Sequence, residues 1–393
     1  MRRRVPSPLE AFFRLETSSG IVLLAATLVA LAWANLSPGY ERVWQQPLTV
    51  GAGPFALTKP LILWINDFLM AIFFLVVGLE LKREMVSGEL RSIRQAMVPA
   101  GAALGGMVVP ALVFLALVSD PLEARGWAVP MATDIAFALG CLRALGRRVP
   151  LPLLVFLTGV AVVDDIGAIL VIAVFYTAEL SFSALAIAGA LAVALFALNR
   201  AGVRRPVLYA LIGLPLWLAV LKSGVHATLA GVIVGLAVPA DGRGDTPPAV
   251  RLEHALHPWV AFGIVPLFAL ANAGVTVDAT AVRALAERLP LGIAFGLFVG
   301  KQFGVLAGTW VVVRTGAAEL PRGLGWAHIY GAALLAGIGF TMALFVASLA
   351  FGIESPLYAQ AKVAILAGSV LSALAGVTVL AGASPRPEPV RNG

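Results

Sequence analysis

The chain has 393 residues, 60% of them hydrophobic and 12% charged, where a soluble domain carries about 25% charged residues. That composition excludes an ordinary water-soluble enzyme, a disordered chain and a fibre. The 28 Lys and Arg against 21 Asp and Glu sit between apolar runs, so they report membrane topology and not a nucleic-acid partner.

A helix needs about 20 mainly apolar residues to cross a bilayer. Twelve runs are read as spans: 18–36, 60–80, 96–118, 128–145, 151–176, 181–199, 207–221, 223–239, 257–275, 290–313, 326–350 and 357–381. The expected fold is an all-α polytopic membrane protein of twelve transmembrane helices. It forms one integral domain over 1–381, followed by a disordered cytoplasmic tail at 382–393. After the first span, the loop 38–59 is long enough to turn back as a hairpin around Gly51–Pro54. The fourth span carries Pro130 and the polar step Thr133-Asp134, which makes it breakable. The fifth holds Asp164 and Asp165 halfway along, and the eighth holds His226. The seventh and eighth are short and separated only by Lys222-Ser223-Gly224, and 241–248 reads as a linker. In the tenth, Gly292, Gly296, Gly300, Gly304 and Gly308 recur every four residues beside Lys301, a small-residue ridge suited to close helix packing. The eleventh carries Gly337-Ile-Gly-Phe-Thr341, a second break. Counting Lys and Arg in alternate loops gives 20 on one side and six on the other, which places both termini in the cytoplasm.

Ionisable groups at membrane depth are costly and functional by default. Asp164 and Asp165 are adjacent on one helix and point about 100° apart, so both can border a polar cavity among several helices. Such acids can exchange protons and, when ionised, offer hard oxygen ligands to a small cation. Lys301 is the evident counter-charge for one of them. An inter-helix glue pair would account for Asp164 with Lys301 but not for Asp165 or Asp134. Discontinuous helices at matching places in two halves point to a transporter site. Spans three to five and ten to twelve start in opposite orientations, as an inverted repeat requires. At the cytoplasmic face, Glu80, Lys82, Arg83 and Glu84 follow the second span, and Glu253, His254 and His257 precede the ninth. That cluster is either a solvated rim or a proton-sensitive gate.

These residues resemble the NhaA-type sodium/proton antiporters of bacterial inner membranes. The stretches that carry the resemblance are Asn66-Asp-Phe-Leu-Met-Ala-Ile-Phe-Phe-Leu-Val-Val-Gly-Leu-Glu80, Ala132-Thr-Asp-Ile-Ala-Phe-Ala-Leu-Gly140 and Val163-Asp-Asp-Ile-Gly-Ala168. Further along come Lys222-Ser-Gly-Val-His-Ala-Thr-Leu-Ala-Gly231, Leu252-Glu-His-Ala-Leu-His-Pro-Trp259, Ala271-Asn-Ala-Gly274, Gly300-Lys301 and Gly337-Ile-Gly-Phe-Thr-Met342. The resemblance implies that the fourth and eleventh helices are unwound where they cross near the midplane. It implies that Asp164 and Asp165 bind sodium and exchange protons, with Thr133 lining the site. Asp134 and Lys301 would offset the partial charges of the broken helix ends. Glu80, Arg83, Glu84, Glu253, His254 and His257 match a region associated with pH regulation. A hairpin around 47–59 would join two copies in a homodimer.

The function expected is electrogenic exchange of Na+ or Li+ for more than one H+, driven by the proton-motive force and activated at alkaline pH. The transported ions and membrane lipid are the expected partners, with no cofactor. A sodium-coupled symporter for an organic solute is the alternative, although the polar residues at mid-span are few and small for such a cavity. An intramembrane aspartyl protease would need its acids on different helices, one typically in a Gly-x-Gly-Asp setting, and Gly337-Ile-Gly-Phe340 has Phe at that place. A transporter is therefore expected, not an enzyme.

Overall fold

The computed structural model describes residues 8–383 other than 52, 54, 55, 89–91, 178, 179 and 242–245. The expected tail beyond 383 and the centre of the 241–248 linker lie outside those residues. The helices of ten residues or more, in chain order, are α1 (Pro8–Leu36), α2 (Leu61–Ser87), α3 (Ile93–Leu117), α4 (Ile135–Ala144), α5 (Leu151–Phe175), α6 (Phe182–Arg200) and α7 (Pro206–Lys222). They continue with α8 (Thr228–Ala237), α9 (Pro248–Asn272), α10 (Arg288–Arg314), α11 (Trp326–Ala336), α12 (Phe340–Phe351) and α13 (Pro356–Gly382). Pro opens α7, α9 and α13, where its missing N–H costs nothing. Gly352, at φ 78°, ends α12.

Among the described residues, eight helices are long and apolar enough to cross a membrane. A ninth span results if α11 and α12, which meet at 44°, count as one. The chain is thus a multi-pass helical membrane protein. The remaining apolar runs form α4, α7 and α8, of 10, 17 and 10 residues, each short for a crossing. Between α1 and α2, β1 (Pro47–Val50) pairs antiparallel with β2 (Leu57–Pro60), Val50 opposite Leu57, where the hairpin was expected.

Contacts divide the chain into two compact units. The first holds 1–25, 92–165 and 277–393; the second holds 26–91 and 166–276, so α5 contributes to both and the division passes between Asp165 and Ile166. In the first unit, α3 lies directly on α10. A Cβ at Gly304 would strike the carbonyl of Gly105, and one at Gly308 the carbonyl of Gly101. Lipid tails give helices no hydrophobic reason to associate, so this backbone contact supplies the packing that holds them. The glycine ridge does what its spacing predicts. It is not evenly wound, because Gly296–Gly300 forms a π-helical turn with Gly296 set against Pro130 and Gly300 against Pro110. In the second unit, α8 lies against α2, with Gly231 and Gly235 facing the α2 backbone. Beside that pair Trp64 stacks on Trp217, and Phe68 meets both rings edge-on. Tyr40 there donates to the Leu270 carbonyl at 2.8 Å and accepts from the Gly274 N–H at 3.0 Å, closing the end of α9.

Three expectations need adjusting. The α2 helix runs on to Ser87 and α9 begins at Pro248, so both charged clusters sit on helical turns and not in loops. Helix formation there outlasts the apolar run, because the charged side chains remain good helix formers. His226 precedes α8 instead of lying within it, since Gly224 at φ 86° turns the chain first. The fourth run is only partly α-helical: Glu123–Met131 is a 3-10 helix and residues 132–134 are extended before α4.

Candidate functional site

The first unit contains two interruptions of helix, at 132–134 and at 337–339, and the backbone joins them directly. The Asp134 N–H donates to the Ile338 carbonyl at 2.6 Å. An interrupted helix exposes N–H groups at one end and carbonyls at the other, and several of these find partners here. Asp134 is the N-cap of α4: its Oδ1 accepts from the Phe137 N–H at 3.0 Å. Its Oδ2 accepts from the Thr341 N–H at 3.0 Å and from the Thr341 hydroxyl. One buried carboxylate therefore closes the positive N-terminal ends of both α4 and α12, the favourable placement for an anion. Ser369 on α13 accepts from the Phe340 N–H at 3.1 Å, satisfying a second donor at the α12 end.

Asp164 on α5 stands beside this crossing and is 2% exposed. Its Oδ2 accepts from Lys301 Nζ at 2.6 Å and lies 2.6 Å from Thr133 Oγ1. The Lys301 side chain is completely buried; Gly106 on α3 leaves room for it, a Cβ there falling 3.6 Å from Nζ. A paired ammonium is the form in which so deep a lysine is tolerated. The other oxygen of Asp164, Oδ1, is buried and has no hydrogen-bond partner among the described residues. Asp165 follows on the same helix, 3% exposed and turned about 100° away.

Thr133 adds a chemical property of its own. Its hydroxyl also reaches the Ala336 carbonyl, the last of α11, at 2.8 Å. A hydroxyl has one proton and two lone pairs. With Asp164 ionised, the proton can serve the carboxylate. With Asp164 protonated, it can turn to Ala336 while Thr133 accepts from the acid. Thr133 thus suits both protonation states without rebuilding the site. Asp164 Oδ1 and Thr133 Oγ1 are hard oxygens of the kind small cations take.

The sequence reading selected Asp134, Asp164, Lys301 and Thr133, and the fold brings these four together. It missed Thr341 and Ser369. Thr341 stood inside a recognised break, but its role as partner of Asp134 depends on a contact 207 positions away in the chain. Glu80, Arg83, Glu84, Glu253, His254 and His257 form a separate cluster within the second unit. Arg83 Nε lies 3.1 Å from Glu253, and its Nη2 lies 3.2 Å from Glu84 and 3.7 Å from Glu80. Glu253 is buried, His254 exposed and His257 half-buried. Lys82 caps the carbonyl end of α8, donating to Leu236 at 2.7 Å and to Val238 at 2.5 Å.

The sequence matches the family described as Na+/H+ antiporter 1 over residues 10–380. It is 52% identical to a protein of Oleidesulfovibrio alaskensis named Na(+)/H(+) antiporter NhaA, covering 95% of this chain and 93% of that one. A Rhodospirillum rubrum protein of the same name is also 52% identical, over 95% and 97%. A Klebsiella pneumoniae protein named Na(+)/H(+) antiporter NhaA 1 is 51% identical, over 95% of each.

Proposed function

The chain belongs to the Na+/H+ antiporter 1 family, and from that premise we propose that it extrudes Na+ or Li+ electrogenically in return for more than one proton. Family membership supports sodium/proton antiport and a transporter in place of a catalytic enzyme. The observation that carries the finer reading is the state of Asp164: one oxygen held by Lys301 and Thr133, the other buried and unclaimed, with Asp165 next to it. An oxygen kept dry without a partner is expensive, and a cation or a proton arriving at it relieves that cost.

Asp164 and Asp165 bind the sodium ion, Thr133 lines its site, and protons return to the site when sodium leaves, one to Asp165 and the second to Asp164 or to Lys301. Sodium and protons compete, so the loaded carrier reorients and the empty, charged one does not. If two protons leave to admit one Na+, the two loaded forms differ by one net charge. An inside-negative potential then drives the cycle at about 2.3 kcal/mol per charge per 100 mV. Alkaline cytoplasm strips the protons and favours sodium, hence activity at high pH. Asp134 offsets the positive ends of α4 and α12, and Lys301 balances Asp164.

The protein sits in the bacterial inner membrane with both termini cytoplasmic. Its twelve helices are the nine spans plus those built on α4, α7 and α8, arranged as one integral domain over 1–381. Spans three to five (α3 to α5) and ten to twelve (α10 to α13) form an inverted repeat, with the two breaks in corresponding places. The cluster around Arg83 and Glu253, with His254 and His257, regulates transport by pH, and the β1–β2 hairpin joins two copies. The experiment is proton release on adding Na+, Li+ or K+ to everted vesicles across pH, with and without a clamped potential. Wild type should respond to Na+ and Li+ and to the potential; Asp165→Asn should abolish exchange. Full exchange in Asp165→Asn removes the assigned site, and indifference to potential argues for neutral one-for-one exchange.

A further inference from the structure

The direction in which Lys301 points depends on the turn just before it. Gly296–Gly300 is π-helical, and the Lys301 N–H reaches back five residues to the Gly296 carbonyl. Such a turn holds one residue more than the α-helical turn it replaces. Side chains beyond it are therefore rotated by about 100° from where a plain helix would put them. Lys301 is the first residue past the turn and reaches Asp164 from that rotated position.

A π turn disturbs the regular four-residue ladder, and a side chain bonds one of the carbonyls within it. Gln302 Nε2 donates to the Phe298 carbonyl, within the turn, at 2.6 Å. The other end of the same amide is held from a second helix: Tyr330 on α11 donates its hydroxyl to Gln302 Oε1 at 3.0 Å. The amide is 9% exposed as a residue, and both of its polar atoms are engaged in mutually consistent directions. We propose that Gln302, held by Tyr330, is a positioning residue that locks the π turn so that Lys301 meets Asp164. It touches neither ion nor carboxylate and acts through the lysine. The inference rests on the exchange function proposed above and adds a specific device to it.

The test is sodium-dependent exchange in proteoliposomes at one fixed pH, with wild type alongside. Leu is close to Gln in volume, so Gln302→Leu keeps the packing and loses both hydrogen bonds. Without the lock, Asp164 is less well pre-oriented, and the apparent KM for Na+ rises about threefold to tenfold while kcat changes less than about twofold. Gln302→Thr is the conservative rescue, since a helical Thr bonds the carbonyl four residues back, as Thr309 does to Val305 at 2.7 Å in this same helix. Its KM stays within about twofold of wild type. Tyr330→Phe removes one hydroxyl and raises KM by about twofold to threefold. A wild-type KM in Gln302→Leu overturns the proposal, as does a Gln302→Thr protein impaired as much as Gln302→Leu. Should Gln302→Leu fail to fold, a wild-type KM in Tyr330→Phe overturns it alone. Failure of wild type itself to exchange would overturn the function proposed above and this inference with it, and is recognisable as such in the parallel control.

Discussion

Replacing Lys301 with Met keeps the length of the side chain and deletes its charge. Among the described residues, Asp164 then retains the Thr133 hydroxyl at 2.6 Å, and its other oxygen has no hydrogen-bond partner. Both members of the pair are almost wholly buried, at 0% and 1% side-chain exposure, so solvent does little to screen the loss. Removing one partner of such a pair costs about 3–5 kcal/mol. At about 2 °C per kcal/mol for a chain of this size, Lys301→Met should lower the apparent Tm by roughly 6–10 °C. Asp164→Leu, which strands the ammonium instead, should do the same. The combination Asp164→Leu with Lys301→Met replaces the pair by apolar groups, and buried ion pairs are commonly matched by such replacements. The double variant should therefore melt within about 4 °C of wild type, giving a coupling of several kcal/mol in the cycle. The assay is thermal unfolding in detergent micelles, followed by intrinsic fluorescence at one pH and salt concentration. A double variant that falls by the sum of the two singles refutes the reasoning, because it would mean that the two groups stabilise the protein independently.

Other contacts give predictions of the same kind. Gly105→Leu drives a side chain into the Gly304 backbone and should cost at least about 1–3 kcal/mol; Gly382→Ala, which meets nothing within 4 Å, is the silent control, both read as Tm and yield. Thr341→Val removes the hydroxyl that Asp134 accepts. It should cost about 1.5–3 kcal/mol, the worth of a hydrogen bond to a charged group, and slow exchange, whereas Thr341→Ser retains both. Arg83→Ala leaves the buried Glu253 carboxylate without its 3.1 Å partner, so it should destabilise more than Glu253→Gln, measured by the same melts. If the β1–β2 hairpin joins two copies as proposed, wild type should run as a dimer in size-exclusion chromatography with light scattering and the hairpin deletion as a monomer; an unchanged mass refutes that role.

The parts of this protein readable from the sequence are those fixed by local composition or by the cost of charge in lipid. Apolar runs marked the helices, the four-residue glycine spacing marked the face of α10 that meets α3, and Gly-rich or Pro-containing interruptions marked both breaks. Asp134, Asp164 and Lys301 stood out because ionisable groups at such depth are rare. Helix ends were read less well. The turns carrying Arg83 and Glu253 are helical though no longer apolar, and hydropathy cannot follow a helix past the membrane surface. The π turn at Gly296–Gly300 was invisible for a related reason: inserting one residue into a helical turn leaves no compositional trace.

The sequence alone determined that the chain spans a membrane many times and that a few acids and one lysine must be housed inside it, because both follow from transfer free energies that belong to the residues themselves. The tertiary structure decided which oxygen of Asp164 is occupied, that Asp134 serves two helix ends at once, and that Gln302 and Tyr330 fasten the turn before Lys301. Those relations join residues up to 207 positions apart, and hydrogen bonds are short and directional, so only the folded backbone could specify them.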